Sequence, residues 1–341
     1  MAPPNLRVGV VGAGAMGTDH VARLERRTRG AEVTAIVEPD RGRSAAARAI
    51  APEARPFSTL QDAIQQHAVD AVLVATPGAV HEGALLAALQ AGLPAFCEKP
   101  LSPDVAGARR VVEAEQRLER PHIQVGFMRR FDAEHRCLRE LVASRSSGEL
   151  LLLHCVHRNP SAAPGFAQEM LVTDSLVHEL DSVPWLAGSP LRSVEVRYPR
   201  PSSLAPPQLR EPILALLELE SGVLADVEMN VDIRFGYQVT AEAVFERGVA
   251  RIGQPSGLQE WREGRTAIAE HTGFVSRFRD AYDRELQAWV DAARAGGIAG
   301  PSAWDGLLAA LACEAGVRAL QGGAPQVVAR PERPTFYTEP R

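Results

Sequence analysis

Asp174 and His178 stand four residues apart in the stretch Met170 to Trp185, MLVTDSLVHELDSVPW, where Leu171, Leu176, Leu180 and Val183 recur at helix-like intervals. On a helix the two polar side chains project from one face, one turn apart. A carboxylate placed there holds an imidazole in one tautomer and stabilises its protonated form, which is what a general base needs to take an alcohol proton near neutral pH. Such a pair is more often a satisfied couple in a core or on a surface, so the rest of the chain must supply the context.

A cation that could meet the same oxygen is Lys99, in Glu98-Lys99-Pro100 directly after the short strand expected at Ala95 to Cys97. The proline keeps Lys99 out of the helical region, so it should sit in extended backbone at the carboxyl edge of a sheet. Most lysines are merely solvated; position is what singles this one out. Thr76-Pro77-Gly78 falls just past the end of another expected strand, Ala71 to Ala75, again at the edge where open parallel sheets bind ligands. An ordinary strand-to-helix turn would look the same.

Both edges belong to a nucleotide-binding pattern. Leu6 to Val11 is a short apolar run of the kind buried on both faces, and Gly12-Ala13-Gly14-Ala15-Met16-Gly17 follows it at once, ahead of an amphipathic helix with Val21 and Leu24. Its glycines serve a tight turn, close backbone approach to a pyrophosphate and close helix packing. The second strand, Glu32 to Val37, ends at Glu38, about twenty residues past Gly17, where a carboxylate accepts hydrogen bonds from ribose hydroxyls. Its charge would repel a 2′-phosphate, which predicts NAD over NADP, although Arg41 and Arg43 lie near enough to counter it. Alternating signals continue with helices at Thr59 to His67 and His81 to Gln90 and a last strand at Ile123 to Gly126. The expectation is α/β, a Rossmann doubly wound parallel sheet over residues 1–126.

Residues 127–341 change pattern. After Phe127-Met128-Arg129-Arg130-Phe131-Asp132 and a helix to about Arg145 come strands at Leu150 to His157, Ser193 to Tyr198, Ile213 to Glu220, Val223 to Val231 and Tyr237 to Glu246. This predicts an α+β domain with a large open, mostly antiparallel sheet. By the two-residue period, Cys155, His157 and Asn159 share a face, so His157 and Asn159 can point together into a pocket. Arg129 could bind a polyol or form an interdomain salt bridge. The Asp174 helix should cover one sheet face, and an apolar opposite face would drive subunit pairing. Late helices at Ser276 to Ala293 and Trp304 to Leu320 are expected to pack back on either domain.

Composition narrows the rest. The chain has 341 residues, 45% hydrophobic and 23% charged, with a net charge of −5 and no long Lys/Arg cluster, which argues against nucleic acid as a partner. Its four cysteines show no CxxC pairing, so neither a structural zinc nor a disulfide framework is expected, and a reducing compartment fits. The opening MAPPNLRVGVVG lacks the features of a signal peptide, and no apolar run is long enough for a membrane span; a cytoplasmic protein is expected.

Taken together, GAGAMG, Glu38, Thr76-Pro77 with His81, Glu98-Lys99-Pro100 and the Asp174/His178 pair resemble the Gfo/Idh/MocA oxidoreductase family, and QVGFMRRFD, LHCVHRNP, VHELD, FGYQV and GPSAWDG are similar to segments of its inositol-oxidising branch. The resemblance spans nearly the whole chain. It implies a catalytic set of Lys99, Asp174 and His178, cyclitol contacts from Arg129, His157, Asn159 and Tyr237, and cofactor contacts extending from Gly12 to Gly17 and Glu38 on to Thr76, Pro77, His81, Glu98 and Lys99. It further implies NAD-dependent oxidation of a cyclitol secondary alcohol, myo-inositol to 2-keto-myo-inositol, by a metal-free homotetramer. A dehydrogenase of another cyclitol, an aminocyclitol precursor or a pyranose is the alternative, and a binding-only dinucleotide sensor a more distant one. Two departures stand out: Glu38 where many members carry Asp, and Pro77 where some carry an aromatic residue.

Overall fold

The computed structural model describes residues 4–255 and 257–338; the first three and last three residues of the expected domain ranges, and Ser256, lie outside the described residues. By its contacts the chain divides into two compact units, one comprising Met1–Met128, Tyr282–Ala310 and Pro331–Arg341 and the other Arg129–Ala281 and Leu311–Arg330.

In the first unit six parallel strands, β1 (Leu6–Val11), β2 (Ala31–Val37), β3 (Arg55–Phe57), β4 (Ala71–Val74), β5 (Ala95–Glu98) and β6 (Ile123–Gly126), stand in the order β3-β2-β1-β4-β5-β6. The order reverses beside β1, which creates the crevice where such sheets take ligands. Val8, Val10, Ile36, Leu73 and Phe96 share one core with Leu286, Trp289, Val290 and Ala293 from late in the chain. Each such side chain contributes roughly 1.5–3 kcal/mol when fully buried. The connecting helices are α1 (Ala15–Arg26), α2 (Arg41–Arg48), α3 (Leu60–Gln65), α4 (His81–Gln90) and α5 (Val105–Glu115). Asp40, Thr59 and Asp104 cap α2, α3 and α5 by accepting the N–H of Arg43, Asp62 and Gly107. The final segment is pinned where the Tyr337 hydroxyl donates to Glu115 at 2.5 Å.

The second unit is built on a seven-stranded sheet. After α6 (Ala133–Ser144) come β7 (Leu150–Arg158), a π-helical turn Leu171–Leu176, α7 (Val177–Ala187), β8 (Leu191–Arg197), β9 (Ile213–Leu219), β10 (Leu224–Asn230), β11 (Gln238–Phe245) and β12 (Gly248–Ile252). The hairpin β13 (Gln259–Arg262) and β14 (Arg265–Ile268), helices α8 (Phe274–Arg277), α9 (Arg279–Ala295) and α10 (Ala303–Gly322), and β15 (Gln326–Val327) complete the chain. The order β12-β11-β7-β10-β9-β8-β15 is antiparallel except for β7 with β10. Alternation is clean: Leu153, Cys155 and His157 of β7 and Ile213, Ala215, Leu217 and Leu219 of β9 are buried. The opposite face is mixed rather than apolar. Leu152, Val156, Leu214 and Leu216 are half-buried there among the ion pairs His154–Asp226, Arg158–Glu228 and Arg192–Glu218.

One expectation needs correction. The stretch from Met170 to Trp185 is not a regular α-helix, because Leu171–Leu176 is wound as a π-turn before α7 begins. Within it the Thr173 hydroxyl and N–H both donate to the Glu169 carbonyl, at 3.3 Å and 3.0 Å.

Candidate functional site

The GAGAMG turn has the shape its glycines require. Gly12 takes a φ of +93°, and a Cβ there would lie 2.9 Å from the Ala75 carbonyl oxygen and the Thr76 nitrogen. A Cβ at Gly17 would stand 1.9 Å from the Gly12 carbonyl oxygen, so only glycine lets α1 pack onto the turn. Gly14 faces open space and forms the N-cap of α1 without a side-chain capping bond, and no acidic residue occupies the first turn. The first N–H groups of α1 are therefore offered to an anion, and a dinucleotide pyrophosphate fits that cradle. Beside it, Thr76 Oγ1 is buried without a hydrogen-bond partner among the described residues.

Glu38 braces the turn. Its carboxylate accepts the Ala13 N–H at 2.9 Å, the Asp40 N–H at 3.0 Å and the Arg43 guanidinium at 3.0 Å. Burial pushes this carboxyl up, but the bonds from Ala13, Asp40 and Arg43 outweigh it and hold it below its ordinary range. A carboxylate has about four acceptor sites, so three protein donors leave room for a hydroxyl.

At the ends of β4 and β5, His81 is buried, with its Nδ1 and Nε2 each 2.7 Å from a carbonyl oxygen, of Pro100 and Thr76 respectively. It braces the Thr76-Pro77 turn against the segment that follows Lys99. Glu98 is buried too. Its Oε1 lies 2.7 Å from His20 Nε2 and its Oε2 accepts the Lys99 N–H at 3.2 Å, so the carboxylate faces inward rather than towards a ligand. Burial raises the Glu98 carboxyl, yet the His20 bond and the charges of Lys99 and His81 bring it below its usual range. A cavity of about 250 Å³ elsewhere in this unit is lined by Leu6, Asp70, Pro94 and His122, at the amino ends of the strands and thus on the wrong edge for a dinucleotide.

The second unit gathers most of the remaining candidates. Arg129, His157 and Tyr237 are each no more than 3% exposed, and the His157 and Tyr237 rings lie 6.0 Å apart, edge to face. His178 is 9% exposed, and its ring centroid lies 6.1 Å from that of His157. Next to His178 in sequence is a residue that sequence reasoning missed, Glu179: it accepts from the Arg129 guanidinium, and its Oε2 lies 3.1 Å from His157 Nδ1. Arg129 is thus committed to Glu179; its second terminal nitrogen is also 3.1 Å from His157 Nδ1, which can accept from Arg129 or donate to Glu179 but not both. Burial would raise the Glu179 carboxyl, but Arg129 and His157 hold it down at about 2. Asp174 is half-buried in the π-turn Leu171–Leu176 that precedes α7. Asn159 is not on the strand; it lies just past β7, its N–H donating to Asn230 and its carbonyl accepting from Ile233. Among the described residues no group of three His, Cys, Asp or Glu could hold a metal ion, and no helix is long and apolar enough to cross a membrane.

This combination of parallel nucleotide-binding sheet, uncapped glycine turn and open second sheet defines a class. Residues 6–127 match the model of an oxidoreductase family with an NAD-binding Rossmann fold, GFO/IDH/MocA, and residues 135–251 match that family's C-terminal domain; the chain belongs to this family, and NAD is its cofactor. Among its relatives, an inositol 2-dehydrogenase of Leifsonia xyli is 63% identical, with 98% of each chain covered. One of Corynebacterium glutamicum strain ATCC 13032 is 61% identical over 98% of this chain and 99% of its own. The solved structure of myo-inositol dehydrogenase from Lactobacillus casei in complex with NAD(H) and myo-inositol superposes with a TM-score of 0.94 at 33% identity, covering 98% of this chain and all of that one.

Proposed function

We propose that the chain oxidises a ring secondary alcohol of a cyclitol, myo-inositol at its axial hydroxyl, to 2-keto-myo-inositol. The observation that carries this is 63% identity, along 98% of the chain, to a relative named inositol 2-dehydrogenase. Bound NAD supplies the hydride acceptor. In this reading the hydroxyl proton passes to His178, Asp174 stabilises the imidazolium that results, and Lys99 donates a hydrogen bond to the reacting oxygen. An alcohol is far too weak an acid to ionise at neutral pH, so base and cation must act as charge develops on that oxygen. His157, with its ring fixed by Glu179, together with Arg129, Asn159 and Tyr237, shapes the polyol pocket. The assembly is a homotetramer formed through the open sheet, and the free cysteines Cys97, Cys137, Cys155 and Cys313 suit the cytoplasm.

Incubating the pure protein with NAD⁺ or NADP⁺ and myo-inositol, scyllo-inositol, chiro-inositol or glucose, and following reduced cofactor, tests the reading. Fastest turnover with NAD⁺ and myo-inositol is expected. Preference for glucose, or no reaction despite NAD binding, contradicts it.

A further inference from the structure

We propose that His20 is a positioning residue for the reaction: through the Glu98 carboxylate it ties the cofactor-binding helix α1 to the backbone of Lys99. The proposal rests on the reading of Lys99 as the donor to the reacting oxygen. His20 lies three residues past Gly17, less than one turn beyond the anion cradle, and is fully buried. Its ring is held edge-on by Phe96 and Tyr282, at centroid distances of 5.7 Å and 6.0 Å. His20 Nδ1 has no hydrogen-bond partner among the described residues, so a hydrogen there would be buried unbonded. The hydrogen therefore sits on Nε2 and is donated to Glu98 Oε1 over 2.7 Å. The other carboxylate oxygen accepts the Lys99 N–H. One rigid anion thus bridges a side chain of α1 and the main chain of Lys99, at the end of β5.

Neighbouring glycines keep the bridge from shifting. A Cβ at Gly126 would come within 3.1 Å of the Phe96 ring and 3.3 Å of Glu98 Oε2, so β6 packs directly onto the carboxylate. At the other end, the close approach of Gly17 to Gly12 sets the register of α1 and with it the height of His20. A buried pair of this kind adds little stability over an apolar pair of the same shape. Its effect lies in geometry, because an ångström of displacement at a reacting group costs on the order of 100-fold in rate.

The test compares variants of the full-length protein, with active sites counted by NADH titration. His20→Phe keeps the ring and removes the donor; kcat should fall by about tenfold or more while the NAD⁺ dissociation constant and the KM for myo-inositol stay within about threefold. His20→Gln, whose amide can donate from near the Nε2 position, should recover most of the rate. Because His20→Phe leaves a buried carboxylate unpaired and could fail to fold, a double variant His20→Phe/Glu98→Leu removes both polar groups. It should regain thermal stability and remain slow. A His20→Phe enzyme at full kcat, a His20→Gln enzyme as slow as His20→Phe, or a double variant whose rate returns with its stability would overturn the proposal. Lys99→Ala is measured beside them: full turnover there overturns the lysine reading and this inference together, whereas a slow Lys99→Ala beside a fast His20→Phe overturns only the bridge.

Discussion

Arg129 and Glu179 form an ion pair in which each side chain is only 2% exposed, and Glu179 is the immediate neighbour of His178 on α7. The pair holds the His157 ring as well, so one buried carboxylate organises two residues assigned to the polyol pocket. Taking one charge away strands the other in the interior.

Glu179→Leu should therefore destabilise the protein by about 3–5 kcal/mol, read as a lower urea midpoint, because the Arg129 guanidinium is left without its counter-ion. Replacing both, as Arg129→Leu/Glu179→Leu, should restore much of that loss. A single variant as stable as wild type would show that the pair is not closed in solution.

The same carboxylate sets an acid limit. Glu179 is lowered from an ordinary 4.5 to about 2, and Asp132, against the effect of its burial, from 3.8 to about 2 by His135 and Arg277. A carboxyl lowered by folding contributes stability that is complete above its unfolded value and is lost as pH falls through its folded one. Urea midpoints should thus be insensitive to these groups above about pH 5 and decline between there and about pH 2. A Glu179→Leu protein should show a shallower decline over that range; an unchanged slope contradicts the assignment.

Glu38 holds Arg43 at 3.0 Å, and we propose that it selects NAD by keeping that cation from a 2′-phosphate. Glu38→Ser should raise the ratio of kcat/KM for NADP⁺ over NAD⁺ by about tenfold or more, as an anion is removed and Arg43 is released. The wild-type protein should favour NAD⁺. An unchanged ratio would mean that the carboxylate only braces the Ala13 turn.

Much of the first unit was legible because a parallel sheet buried on both faces writes itself as short apolar runs: β1 was read at its observed bounds, and α4 likewise. The helix α2, RGRSAAAR, escaped because it has no apolar stripe, and its one signal was the capping Asp40. The strands β13 and β14 are exposed at every position, so no alternation marks them. The parallel pairing of β7 with β10 cannot be read from a chain in which β9 and β10 form an obvious hairpin. The residues proposed for catalysis could be picked out by type, while the partners that support their neighbours could not. His20 meets Glu98 across 78 positions of sequence and Arg129 meets Glu179 across 50, and only the fold brings such partners together. The proximity of His20 to Gly17 was the one local hint. Glu179 had none beyond adjacency to His178.

In the proposed reaction His178 takes the proton from a cyclitol hydroxyl. The most direct measurement is NADH formation from NAD⁺ and myo-inositol by the His178→Ala protein beside wild type, with NAD⁺ affinity determined in parallel. Turnover should fall by about 10²–10⁴-fold with NAD⁺ binding retained. Wild-type turnover in His178→Ala would contradict the account.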